Sequence, residues 1–369
     1  MSKILISGYY GFGNNGDDAL LMSIVKGLKE KIPDCDITVL SANPAETASV
    51  YHVNAVNRWN LFEIIKNILK SDLLISGGGT LIQDGTSTKS LIYYLAVIML
   101  ASLSGLKIML YSNGIGPLTK KSNIRLTKNI LNRADMITLR DEASQKMLAD
   151  IGVTKPDIVL TADPAFLLEK TENASALELI DNISENGRDF FIVSVRKWSR
   201  LPESFTSDLA EVIDYTAQKY DMIPVFLPMQ MSADCDISRE IMDKMTSECK
   251  LIDRRMATGE LLAVISRARI CIGMRLHTLI YAASQGVPII GLVYDPKING
   301  FMDYINQKMY ISAEDADSAA LRHMTDECME NYARIKGMID DRVLYLRKKA
   351  SENSDYAAGL LKGGAKNGK

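Results

Sequence analysis

Nearly every apolar run of strand length in this chain ends in a glycine-rich or charged turn, and a helical stretch follows it. That order is met by parallel strands joined through helical crossovers, and by neither an all-β nor an all-α fold. The first half offers strand runs at Ile4–Ser7, Ile37–Leu40, Leu73–Ser76, Ile108–Tyr111, Met136–Leu139 and Ile158–Leu160. A polar stretch, Glu169 to Asp189, has weak apolar periodicity, and the pattern restarts at Phe190–Val195, Ile223–Leu227, Ile270–Gly273 and Ile289–Val293. The expected fold class is therefore α/β with two Rossmann-like domains in tandem, at 1–168 and 189–349. Residues 350–369, with Gly359, Gly363, Gly364, Lys366 and Gly368, read as a disordered tail.

With 369 residues, 43 Lys plus Arg against 45 Asp plus Glu, and a net charge of -2, two ordinary cores are affordable and nothing advertises nucleic acid as a partner. The five Cys form no CxxC pair and leave one over, which suits a reducing compartment; the three His are too scattered for a His-rich metal site. No metal and no cofactor is expected. The N-terminus lacks the core and cleavage site of a signal peptide, so the expected location is cytoplasmic. The most apolar run, Leu91 to Leu106, falls short of a membrane span. Two readings of it stand: a buried helix between strands, or a helix lying peripherally on the inner face of a membrane.

The first strand leads into Gly8-Tyr9-Tyr10-Gly11-Phe12-Gly13-Asn14-Asn15-Gly16-Asp17-Asp18. Glycines there let backbone approach a ligand at the next helix N-terminus. A dinucleotide is a poor fit, because the second strand ends at Ser41-Ala42-Asn43 without an acidic residue and Asp17-Asp18 stand where a pyrophosphate would sit. Either these carboxylates complement the helix dipole in a tight turn, or Asp17 faces substrate hydroxyls. Gly13, Asn14, Asn15 and Gly16 are accordingly candidates for acceptor binding. A second cluster, Ser76-Gly77-Gly78-Gly79-Thr80 with Gln83 and Asp84 beyond it, follows another strand, as does Asn113-Gly114-Ile115-Gly116-Pro117. Gly78, Gly79, Thr80, Gln83 and Asp84 join the acceptor candidates at the carboxyl edge, where open α/β sheets bind ligands.

Cations occupy analogous strand ends. Arg140 precedes Asp141-Glu142, and Arg196 follows the first strand of the second half; each reads as an anion clamp or as an ordinary surface or helix-start residue. The segment Gly273-Met274-Arg275-Leu276-His277-Thr278 places Arg275 and His277 at a strand-to-helix turn, and Tyr294-Asp295-Pro296-Lys297 ends the next strand. A His at such a turn is suited to acid–base work when an anionic substrate holds its charge. Asp34-Cys35-Asp36 and Asp234-Cys235-Asp236 mimic a metal-binding DxD, but the spacing is common by chance.

Taken in order, GYYGFGNNGDD, SGGGTLIQD, SNGIGPL, TLRDEAS, SVRKW, LPMQ and GMRLHTLIYAASQGVPIIGLVYDPK resemble the polysaccharide pyruvyl transferases, particularly the CsaB-like members. The resemblance spans roughly Ile4 to Lys297. It implies two Rossmann-like domains in a GT-B-like arrangement with a cleft between them, phosphoenolpyruvate as donor, and a 4,6-ketal of pyruvate on a sugar. In CsaB-like members that sugar is a ManNAc residue of a lipid-linked cell-wall precursor. The match carries the donor-binding role to Arg140, the acid or base role to His277, and a donor-binding lysine to Lys297. Arg275 and Arg196 add donor charge, and Asp17 orients or deprotonates acceptor hydroxyls. Asp18 and Asn113 depart from the usual GDE and Gln, which bears on the acceptor more than the donor. The alternatives are a GT-B glycosyltransferase using a nucleotide sugar and a non-catalytic sugar-binding module.

Overall fold

A computed structural model describes residues 1–363, which form two compact units: Met1–Leu168 together with the C-terminal segment from Leu346, and Glu169–Tyr345. The first unit contains β1 (Lys3–Ser7), α1 (Asn15–Lys31), β2 (Asp36–Ser41), α2 (Pro44–Tyr51), β3 (Asn54–Asn57), α3 (Leu61–Ile68) and β4 (Leu73–Gly77). It continues through α4 (Thr88–Leu103), β5 (Lys107–Asn113), α5 (Lys121–Leu131), β6 (Met136–Leu139), α6 (Glu142–Ile151) and β7 (Asp157–Leu160). Its seven strands are all parallel, in the order β3-β2-β1-β4-β5-β6-β7.

Both faces of this sheet are covered, so its central strands are apolar throughout, and alternation decides which side each residue feeds. Leu5 of β1 and Leu74 of β4 pack with the side chains of α3 and α4, whereas Ile4, Ile6, Leu73 and Ile75 pack with those of α1. The run Leu91 to Leu106 supplies α4, whose Leu91, Tyr94, Leu95, Val97, Ile98 and Ala101 are buried against the first of these faces. No helix among the described residues is long and apolar enough to cross a membrane.

The second unit contains α7 (Ala174–Ile183), β8 (Asp189–Ser194), α8 (Phe205–Tyr220), β9 (Met222–Phe226), α9 (Met231–Met242), β10 (Lys250–Leu251) and α10 (Thr258–Ile265). After these come β11 (Cys271–Gly273), α11 (Leu276–Ser284), β12 (Ile289–Val293), α12 (Pro296–Tyr304), β13 (Tyr310–Ser312) and α13 (Ser318–Glu330). The order β10-β9-β8-β11-β12-β13 is again wholly parallel. The polar stretch after Leu168 is part of this unit: Thr171 N–H donates to the Gly259 carbonyl at 2.8 Å, and Ser175 Oγ donates to Glu260 at 2.9 Å.

The last helix, α14 (Tyr332–Gly363), overturns the expectation of a disordered tail from residue 350, at least as far as Gly363; residues 364–369 lie outside the described residues. Asn353 and Ser354 are buried, with Thr161 donating to Asn353 Oδ1 at 2.9 Å and the Tyr111 and Ser354 hydroxyls 2.7 Å apart. These residues lack apolar periodicity because their buried partners are hydroxyl groups, and small Ala357 completes the contact with the α1 face.

Candidate functional site

In each sheet the strand order reverses once, between β1 and β4 in the first unit and between β8 and β11 in the second. Connections on either side of such a point leave toward opposite faces, which opens a crevice at the carboxyl edge. Asp17 and Thr80 flank the first reversal; Arg196 and His277 flank the second.

In the first unit, Asp17 sits in the opening turn of α1, where Asn14 Oδ1 caps the helix by accepting the Gly16 N–H at 3.0 Å. The glycine run after β4 has two jobs. A Cβ on Gly77 would crowd Tyr10 and Ile24, and one on Gly78 would lie 3.0 Å from Leu20 Cβ, so both permit α1 to pack on the strand end. Gly79, with φ of +71°, brings bare backbone to the carboxylate: a Cβ there would lie 3.1 Å from Asp17 Oδ1. Burial first, then the Asp18 carboxylate, push the Asp17 carboxyl up to about 7; Arg140 pulls it down and Asp163 adds to the rise.

Arg140 lies across the end of β5. Its Nη1 donates to Asp163 Oδ2 at 2.8 Å and its Nη2 to Thr80 Oγ1 at 2.9 Å, while Asp141 stands further off at 3.7 Å. Gly114 makes room for this, since a Cβ there would sit 2.6 Å from Thr80 Oγ1 and 3.2 Å from the guanidinium. The structure thus brings Asp17, Gly79, Thr80 and Arg140 together with Asp163, which the sequence reading passed over. The available signal was Asp163-Pro164 after a strand, the same pairing as Asp295-Pro296 in the second half.

Gln83 and Asp84 do not join this group. Asp84 is buried and accepts from Thr119 N–H at 2.8 Å, Thr119 Oγ1 at 3.0 Å, Lys120 N–H at 3.1 Å and Asn123 Nδ2 at 2.8 Å. Burial opposes its charge, but the bonds from Asn123, Lys120 and Thr119 prevail and hold the carboxyl down at about 2. Both its oxygens are committed to the entrance of α5. Gln83 is spent within its own loop, accepting the Thr86 N–H at 3.0 Å.

In the second unit, Arg275 and His277 open α11, and the Ser194 hydroxyl ties this helix to β8 by lying 2.9 Å from Thr278 Oγ1. Arg275 is oriented by Asp234, which has a side chain wholly shielded from solvent: Nε donates to Oδ2 at 2.9 Å and Nη2 to Oδ1. Asp234 also accepts the Met229 and Gln230 N–H groups, at 3.1 and 3.0 Å, so the carboxylate of the DxD look-alike anchors an arginine. Part of the Arg275 charge is therefore offset internally. Arg196 follows β8, donates to the Tyr294 hydroxyl at 2.7 Å, and has its guanidinium 4.6 Å from the Tyr294 ring centroid; Trp198 closes on the same ring at 5.9 Å. Lys297 is in the first turn of α12, capped by Asp295 Oδ1 accepting its N–H at 3.0 Å. Tyr294 and Asp234 were not singled out from the sequence for these roles.

A family model described as polysaccharide pyruvyl transferase matches residues 14–296, a span holding Asp17, Arg140, Arg196, Arg275 and His277. The chain belongs to the polysaccharide pyruvyl transferase family. A curated relative in keeping with that membership is AmsJ, the amylovoran biosynthesis protein of Erwinia amylovora, 20% identical over an alignment covering 91% of this chain and 94% of AmsJ. Among solved structures, this pyruvyl transferase family member is similar to S. aureus MnaA with UDP, at TM-score 0.68 and 12% identity over 98% of both chains. It is also similar to the UDP-GlcNAc 2-epimerase of Neisseria meningitidis bound to UDP-GlcNAc, at TM-score 0.68 and 12% identity, covering 98% of this chain and all of that one, 100%. Anabaena HepE in complex with UDP and glucose gives 0.65 and 13%, with 98% and 100% coverage. At such identities the likeness is one of fold, two Rossmann-like α/β units of the GT-B kind.

Proposed function

We propose that this transferase moves the pyruvyl group of phosphoenolpyruvate onto a sugar of a lipid-linked or polymeric polysaccharide precursor as a ketal, releasing phosphate. A 4,6-ketal on a ManNAc residue of a cell-wall precursor is the specific form that the CsaB-like motifs suggest. The observation that carries the reading is the placing, within a matched family span, of the Asp17 carboxyl against the bare Gly79 backbone, where burial pushes it up to about 7. A group titrating near the working pH both accepts and returns a proton efficiently.

In this reading one sugar hydroxyl adds to C2 of the enol, its proton passing to or being oriented by Asp17, while C3 gains a proton and becomes a methyl group. The C2–O bond to phosphate then breaks, and the neighbouring hydroxyl closes the ketal. Overall, one hydroxyl proton ends on the methyl group and the other with phosphate. His277 supplies the acid, toward C3 or toward the departing phosphate. Arg196, Arg275 and Lys297 take the carboxylate and phosphate charges of the donor, with Arg140 assigned to the donor by its motif. Gly13, Asn14, Asn15, Gly16, Gly78, Gly79 and Thr80 are assigned to the acceptor side. No resident cofactor is needed for the bond changes.

The test is release of inorganic phosphate from phosphoenolpyruvate in the presence of lipid-linked or synthetic disaccharides, run beside release of UDP from UDP-sugars. Acceptor-dependent phosphate release supports the reading. UDP release without phosphate release would move the protein to the glycosyltransferase alternative, and binding without turnover to a sugar-binding module.

A further inference from the structure

Helix α3 has a wider apolar arc than its core needs. At about 100° per residue, Ile64, Ile68, Leu61, Ile65, Leu69 and Phe62 occupy one side in that order, while Glu63, Lys66 and Asn67 occupy the other. Only the first part of that arc is used internally: Ile64 and Ile68 are 4% and 2% exposed and sit in the core beneath the sheet, whereas Phe62 and Leu69 are 72% and 69% exposed. Leu61 and Ile65 are exposed with them, as are Trp59 just before the helix and Ile92 on the adjoining α4. The Trp59 and Tyr93 rings lie 5.4 Å apart, so the α3 entrance and the first part of α4 form one surface.

We infer that this face seats on an anionic lipid bilayer, with the outer side chains of α3 entering the interfacial zone parallel to the membrane plane. Two features select a bilayer. The patch is a convex helix face carrying a Trp and a Phe, the residues that partition to the headgroup level. Its charge is complementary to anionic lipid: the exposed Lys70 and Lys89 belong to the segments that build it, and Lys66 offsets the Glu63 carboxylate at 3.2 Å. Arg58 connects the patch to the functional loop, since Nη1 donates to the Gly8 carbonyl at 2.8 Å while the guanidinium lies 5.0 Å from the Trp59 ring centroid and 5.1 Å from that of Phe12. The run from Leu91 to Leu106, the sequence candidate for membrane contact, sends Leu91, Tyr94, Leu95, Val97 and Ile98 into the core and adds only Ile92 and Tyr93 to this surface, most of which belongs to α3 and the residues before it.

The inference does not depend on the transfer chemistry, and its test uses no substrate. Purified full-length chain is mixed with vesicles of phosphatidylcholine alone or with about 30% phosphatidylglycerol, floated on a density gradient, and sized in parallel without lipid. The parent should float with the anionic vesicles, less so as salt rises. Phe62→Glu with Leu69→Glu should keep the parental melting temperature and reduce partitioning at least about tenfold. Lys66→Gln with Lys70→Gln and Lys89→Gln should remove only the salt-sensitive part. If the glutamate pair fails to fold, Trp59→Ser with Ile92→Gln replaces it. Failure of the parent to float, or parental flotation by a folded apolar-face variant, overturns the inference. So does a parent dimer that the glutamate pair converts to monomer without any vesicle binding, which would make the face an interface between copies.

Discussion

Replacing Asp163 with Asn removes the charge that holds Arg140. The carboxylate accepts from Arg140 Nη1 at 2.8 Å on Oδ2 and from the Ala165 N–H at 3.0 Å on Oδ1, and the single oxygen of Asn keeps one of these bonds while its NH2 faces the other donor. What disappears is the negative charge opposite a guanidinium, in a pair with side chains only 9% and 7% exposed. Removing one partner of a buried pair costs about 3–5 kcal/mol, and with one of the two hydrogen bonds also lost Asp163→Asn falls within that range. For a unit of this size that corresponds to a fall of about 6–20 °C in melting temperature. The loss should depend on pH. At pH 5 the Asp17 carboxyl, raised to about 7, is protonated and leaves Arg140 only the half-buried Asp141 at 3.7 Å; at pH 8 it is ionised and offsets part of the cost. Scanning calorimetry of parent and variant at both pH values checks this, with Arg140→Met/Asp163→Leu expected to regain most of the stability. If Asp163→Asn melts within about 2 °C of the parent at both pH values, the ion pair does not hold Arg140 in place.

Asp17→Asn should abolish turnover yet stabilise the fold in a pH-dependent way. The folded carboxyl titrates near 7, above its ordinary 3.8, so its ionisation penalises the folded state increasingly through that window. The melting temperature of Asp17→Asn should match the parent near pH 4 and exceed it above pH 7; a constant difference would contradict the buried-charge account. His277→Gln should melt like the parent and lose about 10² to 10⁴-fold in phosphate release. More than half the parental rate would remove His277 from acid–base work. Ending the chain after Lys349 should expose the Tyr111 and Thr161 hydroxyls and destabilise the first unit, whereas ending it after Gly363 should not; equal melting of the two truncations would contradict the packing of Asn353 and Ser354.

The central strands were legible because both faces are covered, which makes runs such as Ile4–Ile6 and Leu73–Ile75 apolar at every position. Three of the four edge strands escaped for the same physical reason in reverse. β3 is Asn54-Ala55-Val56-Asn57, half-buried at its two central residues, β10 has two residues and β13 three, and edge strands need little apolar sequence. At the candidate site the glycines and strand-end cations were visible as residue types at the sheet edge. Their partners were not: Arg140 meets Asp163 beyond the neighbouring β7, and Arg275 meets Asp234 beyond β9, two strands away, pairings set by side-chain reach along the sheet edge. Asp84 misled because a carboxylate that caps a distant loop through four hydrogen bonds looks, in sequence, the same as one that awaits a ligand.

α14 starts in the second unit and finishes in the first. Tyr111 must wait for a hydroxyl 243 residues further along, and Thr161 for an amide 192 residues away. During synthesis, therefore, the first seven-stranded sheet emerges early but lacks the helix that closes one of its faces, while the whole second unit is still to be made. A ribosome-bound chain stopped at Leu168 holds a sheet with buried hydroxyls open to water and the α1 groove around Gly27 unfilled, since Ser354 is the side chain that would meet a Cβ there, at 2.4 Å. Completion of the first unit to be translated thus waits for the last turns of α14.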